Sequence, residues 1–150
     1  MGLDLAVLRS AIAVQIQGRV AREVNVYGGY LPDSPSPPAV LVAPDSSYLT
    51  FDDTLSRLEL CTVHFRVRVV CPAGPSVDGQ MVLDEFLSYG PTAQNSVIEA
   101  LLADPTFGGA ARSSTIESVQ YEGRGVWGET AQTPVDVAAV VIEVNTRRNA

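Results

Sequence analysis

Residues 60–71 read L-C-T-V-H-F-R-V-R-V-V-C and alternate between apolar and polar positions more cleanly than any other part of the chain. Cys61, Val63, Phe65, Val67, Val69 and Cys71 fall on one face, Thr62, His64, Arg66 and Arg68 on the other. A period of two carried by β-branched and aromatic residues is that of a strand packed on a core by one side, the other side meeting water or another chain. At about 3.3 Å per residue the strand is roughly 40 Å long, about twice the usual length. Part of it is therefore expected to run beyond its own core and to offer backbone or an open face to a neighbour.

A chain of 150 residues supplies a core for such a strand within one domain, without metals or disulfides. Over 3–17, Leu5, Leu8, Ile12 and Ile16, flanked by Val7, Ala11 and Val14, have helical spacing with a broad buried face. Asp4 is placed to cap this helix and Gly18 to end it. A short strand is expected over 22–27. Pro32, Pro35, Pro37 and Pro38 then fix φ and withhold donors, which predicts an extended crossing segment over 30–38. Residues 39–43 read as a short buried strand. The polar stretch 44–57 reads as a long loop or hairpin carrying Tyr48, Leu49, Phe51 and the adjacent acids Asp52 and Asp53; it is either a contact arm or a solvated loop.

After the long strand, one helix is expected over 76–88, capped by Ser76, with Val82, Leu83, Phe86 and Leu87 inward. A second, over 93–103, turns Val97, Ile98, Leu101 and Leu102 inward and is closed by Asp104-Pro105 and the turn T-F-G-G. A strand over 113–122 follows. The last strand, over 133–146, contains V-D-V-A-A-V-V-I-E-V, is apolar on both faces in its middle and belongs centrally in the sheet. The final residues T-R-R-N-A are expected to fray. The class is α+β: a mixed, mainly antiparallel sheet flanked by an N-terminal helix and a central helix pair.

The same residues give little to chemistry. Gly123, Gly125 and Gly128 form a literal G-x-G-x-x-G after a strand, but such glycines hold a pyrophosphate only when they open a helix. Here bulky Trp127 and a following strand predict a wide hairpin loop, with Trp127 either a partner anchor or a residue closing the core. His64 is the only histidine, and its neighbours on that face are Arg66 and Arg68. This cationic stripe is either a solvated face or a partner for acids such as Asp52, Asp53 and Glu59 of the same or an adjacent chain. Cys61 and Cys71 lie on one face about 33 Å apart, too far for a disulfide and for a shared metal. They read as reduced, buried hydrophobes suited to a reducing cytoplasm. With 17 acidic against 10 basic residues, all of them Arg, the charge is −7, which argues against sequence-independent binding to the outside of a nucleic acid. Neither a signal peptide nor a membrane span is legible. No cofactor is expected.

The element order resembles the tail terminator proteins of long-tailed bacteriophages, particularly those of phages infecting actinobacteria. L-D-L-A-V-L-R-S-A-I from Leu3, P-P-A-V from Pro37, V-H-F-R-V-R-V from Val63 and L-L-A-D-P-T-F-G-G from Leu101 carry the likeness. The resemblance implies a virion protein assembled in the host cytoplasm and placed at the head-proximal end of the tail. There a six-fold ring of identical copies would cap the tube of tail-tube protein, stop its growth and meet the head-to-tail connector proteins, with DNA passing through the lumen. It is expected to be no enzyme. Tyr48, Phe51, Asp52, Asp53, His64, Arg66, Arg68 and Trp127 are the expected contact residues, with Arg66 and Arg68 pairing across the ring with acids of 44–59. A head-closure or tail-completion protein is the alternative of the same class. A small ligand-binding or hydrolytic domain using the Trp127 loop and His64 is one of another class.

Overall fold

A computed structural model of the chain describes residues 4–29, 31, 36–51, 60–73, 79–127 and 133–147. The order is α1 (Leu5–Arg19), β1 (Asn25–Tyr27), β2 (Ala39–Phe51), β3 (Leu60–Pro72), α2 (Gly79–Leu87), α3 (Val97–Leu102), β4 (Ser113–Trp127) and β5 (Thr133–Arg147). The five strands form one sheet in the order β1-β2-β3-β5-β4, with β1 parallel to β2 and every other pair antiparallel. The α+β expectation holds.

The alternating strand is β3, and its apolar face is almost wholly dry: Cys61, Val63, Phe65, Val67, Val69 and Cys71 are at most 1% exposed. The strand does not, however, lend its backbone to a neighbour. It pairs with β5 from Leu60–Arg147 to Pro72–Val135 and with β2 on its other side. Its unusual length is matched by equally long partners. β5 lies inside the sheet as expected, between β3 and β4, with Ala138, Val140, Ile142 and Val144 in the helix-side core. On the opposite face Val135 and Val137 join Ala39, Leu41 and Val70 in a second cluster, against which Tyr27 and Leu31 pack.

Helix α1 lies over β1 and β2, α2 over β3 and β5, and α3 packs between the helices. Asp4 caps α1 by accepting from the Val7 N–H at 3.2 Å, while Leu8, Ile12, Ala13 and Ile16 are buried. The helix ends at Val20, whose N–H donates to Ile16, and Gly18 lies inside it. The Gln15 amide donates to the carbonyls of Ala100 at 2.8 Å and Asp104 at 3.1 Å, clamping α1 to the end of α3. Val7 and Val14 are exposed, so the buried face of α1 is narrower than its composition suggests. Leu102 is likewise exposed. Ser96 caps α3 through the Glu99 N–H. Residue Ser76, expected to cap the second helix, lies outside the described residues, as do Pro32 and Pro35 of the crossing segment; the Pro37–Pro38 bond is cis.

The turn after α3 is held by one carboxylate. Asp104 Oδ1 accepts from the Thr106 hydroxyl at 2.6 Å and the Thr106 N–H at 3.0 Å, and Oδ2 from the Gly108 N–H at 2.9 Å. Phe107, buried, sits at φ 50°, followed by Gly108 at 69° and Gly109 at 90°, a left-handed run that a bulky residue adopts only when its surroundings demand it. The hydrogen bond from Thr106, then those from the Gly108 and Thr106 N–H groups, hold the Asp104 carboxyl below its ordinary range. A folded value below the unfolded one adds stability that is complete above the unfolded pKa, about 3.9, and is lost as pH falls through the folded value. Asp104→Ala is therefore expected to melt below wild type near neutral pH, with the difference closing in acid, as pH falls through the folded value. Thermal melts followed by circular dichroism check this; a difference unchanged in acid would assign the effect to the turn and not to its charge.

The structure decides one alternative and corrects two expectations. Of the loop or hairpin expected over 44–57 it shows the hairpin: residues 44–51 are the outer half of β2, which runs on past a bulge between Pro44 and Leu49 and pairs with β3, while residues 52–59 lie outside the described residues. Of the glycine motif, Gly123 and Gly125 are not loop residues but strand residues of β4, and Gly123, at φ 99°, occupies a bulge that a side chain would strain; Gly128 lies outside the described residues. Thr146 does not fray but is buried in β5, its hydroxyl donating to the Cys61 carbonyl at 3.2 Å.

Candidate assembly interface

Because residues paired across antiparallel strands project to the same side, the register places the polar residues of β3 on the face away from the helices. Arg66 lies opposite Val141, and Arg68 opposite Ala139. These small residues let both arginines lie flat across β5 and reach β4, so that Ala139 and Val141 are buried beneath their alkyl stems. Arg66 donates from Nη1 to Gln120 at 3.0 Å and to Glu122 at 3.3 Å, and from Nε to Asp45 on β2 at 3.1 Å. Arg68 Nε donates to Glu122 at 2.8 Å. His64 lies between the Thr50 hydroxyl, 3.3 Å from Nε2, and Glu117, 3.7 Å from Nδ1. Thr62 donates to Asn145 Oδ1, and the Asn145 amide to Ser113.

The cationic stripe thus meets acids within its own chain, one of the two alternatives the sequence left open. One of those acids, Asp45, does belong to the 44–59 stretch named from the sequence. Its carboxyl is held below the usual range chiefly by the Ser46 backbone N–H; burial opposes this, and the hydrogen bond and charge of Arg66 add to the lowering. Arg66→Glu would bring a third carboxylate against Asp45 and Glu122. An expected loss of about 1–3 kcal/mol follows from removing charge-assisted bonds in a part-buried setting. Urea unfolding checks it, and the loss should shrink in high salt, because added ions screen the repulsion.

Of the other residues expected at contacts, Tyr48 is not exposed: it packs edge-on against Phe65, ring centres 5.7 Å apart. Phe51 is exposed near the end of β2. Asp52 and Asp53 lie outside the described residues, and Trp127 is placed by its backbone alone, paired with Thr133.

A second polar cluster was not foreseen. Asp136, in the apolar run of β5, points to the helix side and is 1% exposed. It accepts from the Tyr121 hydroxyl at 3.1 Å and from Arg124 at 3.3–3.4 Å. Its only sequence signal is an acid inside an otherwise hydrophobic strand. Nearby, burial pushes the Cys71 thiol up to about 12, so it stays protonated and inert. Cys61 and Cys71 are both buried thiols at opposite ends of β3.

The sheet ends in β1 beside β2 on one side and in β4 on the other. Among the described residues no strand pairs with the outer side of β4, and β1 covers β2 only from Ala39 to Leu41. Bulges interrupt both edges, at Pro44–Leu49 in β2 and at Ile116–Ser118 and Tyr121–Gly123 in β4. One surface groove lies between α1 and the Asp104 turn and another against Asp84, Leu87, Ser88 and Tyr89; His64 lines neither of these. No group of three or more metal-ligating side chains converges among the described residues. No protein-family model matches the sequence, and no curated protein matches it.

Proposed function

We propose that the chain is a structural subunit of a long-tailed phage tail, a tail terminator whose copies assemble into a ring, most simply of six, at the head-proximal end of the tube. The observation that carries this reading is a sheet with two long and dissimilar edges. Contact between unlike surfaces, repeated about an axis, closes a ring. The resemblance of the element order supplies the class of ring, and the chain's charge of −7 suits a lumen through which DNA slides without adhering. The engagement of His64 with Thr50 and Glu117 on the sheet face supports a structural role.

The partners that follow are further copies of the chain, tail-tube protein on one side and head-to-tail connector proteins on the other. Purified protein added to polymerising tail-tube protein tests the reading. Tubes should stop growing and carry added density at one end in negative-stain images. Tubes of unchanged length with bare ends would reject it.

A further inference from the structure

Asp136 carries a charge with almost no access to water, its side chain 2% exposed, and it stands where three elements meet. On the β4 side, Oδ1 accepts from the Tyr121 hydroxyl and from Arg124 Nε, and Oδ2 from Arg124 Nη2. On the other side is the start of α2. A Cβ on Gly79, the first residue of that helix, would overlap Asp136 Oδ2 and lie 2.8 Å from the Pro72 carbonyl oxygen, so the helix begins in direct contact with the carboxylate. The first N–H groups of a helix lack partners within it, and that end is positive. A carboxylate placed there fastens α2 to the sheet as a capping side chain would, but from a strand distant in sequence.

Little else holds α2. Its nine residues are fewer than the about 12–15 that an isolated helix needs in water. Leu83 and Phe86 are its only fully buried large side chains, and Met81 is 67% exposed. Further along, Glu85 pairs with Arg22 at 2.7 Å and accepts from Asn95, but these side chains are well exposed and such contacts hold weakly.

A natural reporter lies beneath this helix. Cys71 is paired in register with Asp136 and fully buried; burial holds its thiol protonated, and it senses the charges of Arg22, Asp136 and Glu85. Cys61 lies at the opposite end of β3.

We infer that α2 is a latched element, fastened at its start by Asp136, which lifts from the sheet as a unit while the strands stay paired, and that its docking gates the reactivity of Cys71. The opened form presents the apolar face of α2, Leu83 and Phe86, and a thiol of ordinary reactivity. The latch is a property of the folded subunit and is tested apart from the terminator reading.

Alkylation of the native protein by iodoacetamide, followed by mass spectrometry of each cysteine peptide, tests it. In wild type, Cys71 should react below the urea transition at a rate that rises only weakly with urea, because lifting one short helix exposes little surface. A dependence as steep as that of global unfolding overturns the inference. Gly79→Ala supplies a better helix former but drives a methyl group against Asp136 and the Pro72 carbonyl. The Pro72 oxygen is backbone and Asp136 is pinned by Tyr121 and Arg124, so the helix must give way. Cys71 should react about tenfold faster or more, as expected for overfilling a packed site, with the Cys61 rate as in wild type. Acceleration of both thiols alike, or of neither, overturns the inference. If Gly79→Ala does not fold, Asp136→Asn, which keeps the shape and removes the charge, is read in the same way. Cys71 faster with Cys61 unchanged supports the latch, and any other pattern rejects it.

Discussion

Gly28→Val is expected to leave the chain largely unfolded at room temperature. Gly28 ends β1 where that strand meets α1, and a Cβ there would lie 2.5 Å from the Arg9 carbonyl oxygen and 2.6 Å from the Ala13 Cβ. One of these is backbone and the other belongs to a helix clamped by Gln15, so neither gives way cheaply. Lifting α1 exposes Leu8, Ile12 and Ile16, each 0–1% exposed now. At about 1.5–3 kcal/mol for each such side chain, the loss is comparable with a whole domain's net stability of about 5–15 kcal/mol. Gly18→Ala is the control, since nothing lies within 4 Å of its Cβ position inside the helix. It should stabilise by roughly 0.5–1 kcal/mol. Circular dichroism melts of both variants decide the matter; a Gly28→Val melt equal to wild type would show that β1 and α1 separate without cost.

Phe65→Ala should cost about 3–5 kcal/mol, the usual range for emptying a buried aromatic site. Phe65 is fully buried at the middle of β3, and the edge of its ring meets Tyr48, which holds the outer half of β2 against the core. The loss should therefore fall on two places at once, the core and the β2 arm. A double-mutant cycle with Tyr48→Ala is expected to give a coupling of about 0.5–1.5 kcal/mol in urea unfolding. A single-variant loss under about 1 kcal/mol would mean that the core collapses around the vacancy.

Much of the architecture was legible because period and burial agree. The strand at 60–71 alternates, and its apolar set is the core; the doubly apolar β5 lies inside the sheet. Punctuation was legible where a side chain does the punctuating, as with Asp4 and Asp104. It misled where context overrides propensity. Gly18 continues a helix because Val20 supplies the cap, and the polar residues 44–51 extend β2 because β3 offers them a template for pairing. Val7 and Val14 show a limit of the helical period, which finds apolar residues and not what covers them.

The contact residues were less legible than the fold, since most depend on strands distant in sequence. Nothing local in V-H-F-R-V-R-V says that Arg66 will meet Gln120 and Glu122 rather than Asp52 of another copy. That depends on β5 inserting between β3 and β4 and on the smallness of Ala139. Asp136 could have been suspected from its apolar setting, but Tyr121 and Arg124 are brought to it only by the hairpin register.

The Gln15 clamp has a bearing on how the molecule meets a changing medium. An uncharged amide fastens the helical layer, whereas guanidinium and carboxylate groups seal the far side of the sheet. Salt therefore weakens ion pairs on both faces, Arg66 and Arg68 with their acids on one and Arg22–Glu85 and Arg124–Asp136 on the other, but leaves the amide join of α1 to α3 untouched. Such a subunit would keep α1 fastened to the end of α3 through shifts in ionic strength.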